Sequence, residues 1–85
     1  MIRGIVTAGG TFPAHSHDRE EVLCFLSGAG TFTIGDETGS VSAGDVIVVL
    51  AGALHMFEAT EDLDAIGGAP AGTKTFAPDG TEMSR

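Results

Sequence analysis

The chain has 85 residues, a formal net charge of -8 and 42% hydrophobic residues, punctuated by thirteen glycines and three prolines. That length accommodates one small domain around one core. Twelve acidic residues stand against four scattered basic ones, Arg3, Arg19, Lys74 and Arg85, which excludes the basic face that nucleic acid or an anionic membrane requires of a partner.

A domain this short usually relies on a staple, which is a disulfide, a metal or a partner chain. Cys24 is the only cysteine, so no internal disulfide can form. Set in an apolar run, it reads as a small buried hydrophobe rather than a nucleophile. No early stretch has the charged start and long apolar middle of a secretory signal, and no apolar run reaches membrane-spanning length. The expectation is a soluble, cytoplasmic protein.

No segment sustains a helical period, and short apolar runs separated by glycine turns predict an all-β sandwich or barrel. A first strand is expected over Ile2 to Thr7, with Gly9-Gly10 as its turn. Phe12 to His17 is extended, helped by Pro13, which biases its predecessor away from the helical region. Glu21 to Leu26 forms the next strand, Ser27 to Gly30 turns the chain, and Thr31 to Ile34 is expected to return antiparallel as a hairpin.

Gly35 to Gly39 makes a further turn before a short strand at Ser40 to Ser42. In Ala43-Gly44-Asp45, glycine supplies a positive φ and aspartate a local hydrogen bond, a turn role rather than a catalytic one for Asp45. The apolar run Val46 to Leu50 predicts a strand covered on both faces. Ala51 to Ala53 breaks it, and Leu54 to Ala59 forms the next strand. Thr60 to Asp64 reads as an acidic loop, Ala65-Ile66 as a weak strand, Ala69 to Gly72 as a loop and Thr73 to Phe76 as an edge strand. Residues 77–85 read as a flexible tail of a single domain spanning 1–85.

The chemistry-bearing stretch is Gly9 to Gly28, where His15 and His17 stand one residue apart and Glu21 follows. On an extended strand the side-chain period is two, so both imidazoles face one way. Glu21 shares their parity if residues 18–20 stay extended, which would put all three groups on one wall; a small bulge there would only re-aim it. Imidazole and carboxylate together suit a divalent ion such as iron, manganese, zinc, nickel or copper. The third and last histidine, His55, opens a second apolar strand, and an H-x-H pair with a third histidine reads as a metal site. Glu20 is the only competing acidic ligand, and its opposite parity places it on the solvent side. Parity also sets Pro13, Leu23, Phe25 and Phe57 on the metal-facing wall, an apolar pocket of the kind that takes small molecules, with Phe25 far enough from the ligands to serve as core.

The spacing of Gly9, five residues, His15, one, His17, three, Glu21, six, Gly28 resembles in full the first motif of the cupin superfamily. Gly44, Gly52 and His55 match its second motif, while Leu50 stands at that motif's proline position and Ala59 at its asparagine position. Fifteen residues, Ala29 to Ala43, lie between the two motifs. The resemblance implies a double-stranded β-helix, or jelly-roll barrel, with one divalent metal held by His15, His17, Glu21 and His55. It further implies one of two functions. The first is a metal-dependent enzyme of dioxygenase or isomerase/lyase type, acting on a small neutral or metal-chelating molecule. The second is a non-catalytic binding or sensing module in which the metal is structural. A barrel with so short an N-terminal region is expected to pair as a homodimer through the strand carrying Ile2, Ile5 and Val6. The orientation of Arg3 on that strand is left open by parity.

Overall fold

The computed structural model describes residues 2–83, all β among the described residues, in nine strands. They are β1 (Ile2–Val6), β2 (Thr11–His17), β3 (Glu21–Ser27), β4 (Ala29–Ile34), β5 (Glu37–Ser42), β6 (Val46–Val49), β7 (His55–Ala59), β8 (Leu63–Gly68) and β9 (Thr75–Phe76). They form two antiparallel sheets, one in the order β1-β8-β3-β6 and the other in the order β5-β4-β7-β2-β9. The chain passes between the sheets at nearly every connection, which is the jelly-roll arrangement expected.

The core lies between the sheets because each strand alternates inward and outward side chains. In β7, His55, Phe57 and Ala59 are buried, and in β8 Leu63, Ala65 and Gly67 are. Phe25, Phe57 and Leu63 pack with Val6, Val41, Ala59 and Ala65, and Phe12, Leu23, Phe32 and Ile47 lean against them. The rings of Phe25 and Phe57 sit 5.4 Å apart, and Phe12 meets Phe57 edge-on at 6.4 Å. Such aromatic geometries add to the burial of the rings themselves.

The structure corrects several expectations, among them that Gly35 to Gly39 is all turn, since β5 starts at Glu37. The expected hairpin between Glu21–Leu26 and Thr31–Ile34 does not form: β3 lies between β8 and β6, and β4 lies between β5 and β7. Only Gly28 separates β3 from β4, too little for a two-residue hairpin loop, and at φ 89° it carries the chain across to the other sheet. The true hairpin joins β4 to β5 through Gly35-Asp36, with Gly35 at φ 57° in the first central position, as a type II′ turn requires. Nor is β6 covered on both faces. It is an edge strand paired only with β3, and Val46 and Val48 point outward while Val49 is buried. The acidic loop ends at Asp62, since Leu63 and Asp64 already belong to β8, a central strand paired with both β1 and β3. Cys24 is half-buried beside Ile66 and Val46 on the outer side of its sheet instead of in the core.

The turn role of Asp45 is as expected: its carboxylate accepts the Ser42 N–H at 2.9 Å beside Gly44 at φ 94°. The segment expected as a tail folds back on β9. Ala77 N–H donates to Thr81 O and Met83 N–H to Thr75 O, with Glu82 bridged to Phe76. Ser84 and Arg85 lie outside the described residues.

Among the glycines, Gly28 at the crossing has the least room for a side chain, because a Cβ there would fall onto the Asp62 carbonyl and the Leu63 backbone. Gly9 has a similar φ of 86° but open space around it. Gly9→Ala should therefore cost only the strain of the left-handed backbone, about 1–2 kcal/mol, and Gly28→Ala at least about 3 kcal/mol. Urea denaturation of the two variants checks the difference.

Candidate metal centre and its cavity

β2 and β7 are neighbours in one sheet, and their ladder pairs His15 directly with His55. His17 follows two residues on, so three imidazoles gather on one inner surface, with ring centroids 4.2 to 5.2 Å apart. Glu21 arrives differently from the sequence expectation. Residues 18–20 bend out of β2, and Glu21 opens β3 in the opposite sheet, so the carboxylate faces the histidines across the barrel rather than sharing their wall. Its Oε1 lies 3.4 Å from Nε2 of both His17 and His55. One donor atom from each of His15, His17, Glu21 and His55 falls within 4.8 Å of the others. Glu20, the competing carboxylate, is exposed.

The orientation of the rings follows from their Nδ1 partners. His15 Nδ1 donates to Pro13 O at 2.7 Å, and His55 Nδ1 donates to Ala53 O at 3.0 Å. A carbonyl only accepts, so each ring carries its proton on Nδ1 and leaves the Nε2 lone pair free. His17 Nδ1 is 2.9 Å from the hydroxyl oxygen of Thr75. Nε2 of His17 and of His55 are both buried without a hydrogen-bond partner. Buried polar atoms without a partner are uncommon and call for an explanation, an unplaced ion among them.

The backbone that holds His55 is a turn tied to the first histidine pair. Gly52 N–H donates to His17 O at 2.7 Å, and Ala53 N–H closes the turn onto Leu50 O. Leu50 and Ala59, the two departures from the second motif, leave this turn intact: Leu50 is exposed and Ala59 fills the core.

Electrostatics prepare the group for a cation. Burial lowers the pKa of His15, and the Pro13 carbonyl only partly offsets this, so the ring is neutral around neutral pH. For Glu21 burial pushes upward, but the neighbouring His55, His17 and His15 outweigh it and hold the carboxyl below its ordinary value. The set is thus three imidazoles, two of them fixed with a free lone pair, and one carboxylate. Donors about 2.0–2.2 Å from a shared ion lie at most about 4.4 Å apart, so the four groups fit a first-row divalent metal with movements of tenths of an ångström.

A cavity of about 500 Å³ opens onto these four side chains. Leu23, Phe25, Phe57 and Pro13 line it, as parity predicts, with Phe25 and Phe57 also buried in the core. Phe12 lines it too, which parity misses, because the β2–β7 register shifts between Phe12 and His15. Pro13 lacks the N–H a ladder needs and marks this bulge in the sequence. Thr75 and Met83 complete the lining from the far end of the chain and were not anticipated. Among the described residues, no Arg or Lys lines the cavity. Arg3 points outward, its Nη2 2.6 Å from Asp64 Oδ2 and its Nε 3.0 Å from Oδ1, and it holds the Asp64 carboxyl below its ordinary value.

Among the described residues, no helix is long and apolar enough to cross a membrane. No curated protein matches the chain. Among solved structures, the salicylate 1,2-dioxygenase of Pseudaminobacter salicylatoxidans is similar with a TM-score of 0.80 at 20% identity, covering 86% of this chain and 23% of the dioxygenase. A variant of that dioxygenase in complex with gentisate is similar at a TM-score of 0.79 and 20% identity, over 86% and 22% of the two chains. SPY1581, a protein of unknown function from Streptococcus pyogenes, is similar at a TM-score of 0.73 and 29% identity, over 76% of this chain and 57% of that one. The chain therefore spans less than a quarter of the dioxygenase it resembles in fold. Residues 3–66 match the cupin domain family, and with its two facing antiparallel sheets the chain belongs to the cupins.

Proposed function

We propose that this cupin binds one divalent transition metal through His15, His17, Glu21 and His55, and acts as a metal-dependent enzyme on a small neutral or metal-chelating molecule. The observation that carries the reading is the pair of buried Nε2 atoms, on His17 and His55, that have no hydrogen-bond partner and face the Glu21 carboxylate. A bound ion would supply Lewis acidity, and with a redox-active metal also oxygen chemistry, of dioxygenase or isomerase/lyase type.

The chain's own contribution is binding, orientation and exclusion of water. Four protein donors leave open positions on a five- or six-coordinate ion, as sites that bind water or substrate do. The apolar walls of Leu23, Phe57 and Phe12 hold the body of the ligand. With no basic side chain on the lining, an anionic group has only the metal to neutralise it, because burying it unpaired is costly. Phenolates, enolates and α-keto acids satisfy this. The salicylate and gentisate of the structural neighbour are phenolic, which agrees with this class.

A second reading, a binding or sensing module with a structural metal, is favoured by a specific feature. Among the described residues, the only ionisable side chains on the cavity lining are the four candidate ligands themselves. No separate general acid or base stands on that lining among the described residues, so any catalysis would depend on the metal.

Elemental analysis of protein purified without added metal should find one transition metal per chain. His15→Ala, His17→Ala and His55→Ala should each lower metal content strongly, and full content in any of them would remove that ligand. Only neutral histidine binds, so affinity should fall as the pH drops below about 6. Burial lowers the pKa of His15, so that ring stays neutral to below the ordinary histidine range.

Oxygen uptake and product analysis with a panel of phenolic and keto compounds together separate the two functions. Turnover that disappears in His17→Ala supports the enzyme. Thermal stabilisation by the same compounds without any turnover supports the binding module.

We also propose a homodimer, with the expected route revised. β1 lies at the edge of its sheet, as the expected route requires, while its Val6 side chain faces the core and Ile5 faces out. The outer face of the β1-β8-β3-β6 sheet is better suited, since Ile5, Val22, Val46 and Val48 are 45–65% exposed there and Val22 pairs directly with Val48. Light scattering at tens of micromolar should return twice the chain mass, and the double change Val22→Lys with Val48→Lys should return one chain mass. A monomer for the parent rejects the dimer.

A further inference from the structure

Two of the three histidines are oriented by carbonyls of their own strand or turn, two residues upstream, but His17 has a partner 58 residues away. That partner, Thr75, lies beyond residues 3–66, the part of the chain that matches the family. Antiparallel pairing of β9 with β2 sets Thr75 directly opposite His17, so the two side chains share a face. Thr75 is then clamped on both sides. Lys74 N–H donates to the Asp18 carboxylate at 2.8 Å, Asp18 N–H donates to Lys74 O at 3.2 Å, and Met83 N–H donates to Thr75 O at 2.7 Å. Without β9, His17 Nδ1 would lose its partner and the ring would have no fixed proton position.

We propose that Thr75 is a positioning residue for the metal centre, its hydroxyl oxygen accepting the Nδ1 proton of His17 and so keeping that ring's buried Nε2 unprotonated and turned toward the other donors. The inference rests on the metal-binding reading and adds to it a residue that does not touch the ion. A hydroxyl can donate as well as accept. If Thr75 donated to Nδ1 instead, the His17 proton would sit on Nε2, 3.4 Å from Glu21 Oε1, and would block the atom needed for the metal. The two arrangements place one proton on different nitrogens, and this makes the proposal measurable. It also gives the segment 75–83 a purpose in the site: it carries the hydroxyl, and Met83 from the same segment lines the cavity.

The test uses zinc alone as the probe, by competition with a chromophoric chelator, on the parent, Thr75→Val and Thr75→Ser. Thr75→Val keeps the shape and β propensity but removes the acceptor. Outer-sphere partners of ligating histidines are worth about 10–100-fold in metal affinity, so Thr75→Val should weaken zinc binding by that factor and Thr75→Ser should stay within about threefold of the parent. Equal affinity for the parent and Thr75→Val overturns the proposal while leaving the metal site standing. A parent that binds no zinc overturns both. Equal losses in Thr75→Val and Thr75→Ser show a packing role and also overturn it. Long-range proton–nitrogen spectra of the metal-free parent give a readout independent of any variant's folding. His17 should carry its proton on Nδ1, and a proton on Nε2 would refute the assignment.

Discussion

Every buried imidazole brings two nitrogens to a place with little water, and this site depends on how the chain satisfies them. Pro13 O and Ala53 O take the Nδ1 protons of His15 and His55, and Thr75 stands at the Nδ1 of His17. The opposite nitrogens are thereby turned inward, and those of His17 and His55 are left without partners. Leaving a buried polar group unpaired costs about 1–3 kcal/mol. A cation seated among the Nε2 atoms and Glu21 would remove it. In a chain of 85 residues with one cysteine, such a cation would also supply the staple that a disulfide cannot.

The rest of the barrel serves this arrangement. Glu21 comes from one sheet and the three histidines from the other, so the distance between sheets sets the distance between carboxylate and imidazoles. Phe25, Phe57 and Leu63 pack that gap tightly below the ligands. Nearer the cavity the wall is thinned to Gly4, Ala65 and Gly67, and Leu23 and Phe12 occupy the room that a larger residue at Gly67 or Gly4 would take. The result is an apolar chamber with all of its ionisable side chains at one place. Arg3 is spent on the outer surface in a two-pronged pair with Asp64 that joins β1 to β8.

Several features of the second half of the chain hold the first half in register. The turn before β7 donates Gly52 N–H to His17 O, so the two motifs are linked through the main chain as well as through a shared ligand set. β9 does the same from the other side of β2, through Asp18 and Thr75. His17 is thus gripped at its carbonyl by one distant segment and at its ring by another. This explains how a strand whose ladder is broken by a bulge near Pro13 still presents two histidines in fixed orientation.

The sequence by itself determined the parts that depend on local periodicity and residue chemistry. The H-x-H pair had to share a face, Gly44-Asp45 had to turn, and the rarity of histidine together with the spacing up to Gly28 pointed to His55 and Glu21 as the remaining members of one set. Leu23, Phe25 and Phe57 were legible as cavity wall for the same reason, because parity holds along an unbroken stretch of strand. Only the tertiary structure decided which strands are neighbours. It separated β3 from β4, left β6 at an edge with Val46 and Val48 exposed, made β8 central despite its acidic start and two glycines, and sent Glu21 to the opposite wall. It also brought Thr75 to His17 and moved Phe12 inward through the bulge. Side-chain alternation is a property of a few consecutive residues, whereas strand pairing is a contest among segments tens of residues apart, settled by the burial of whole faces at once.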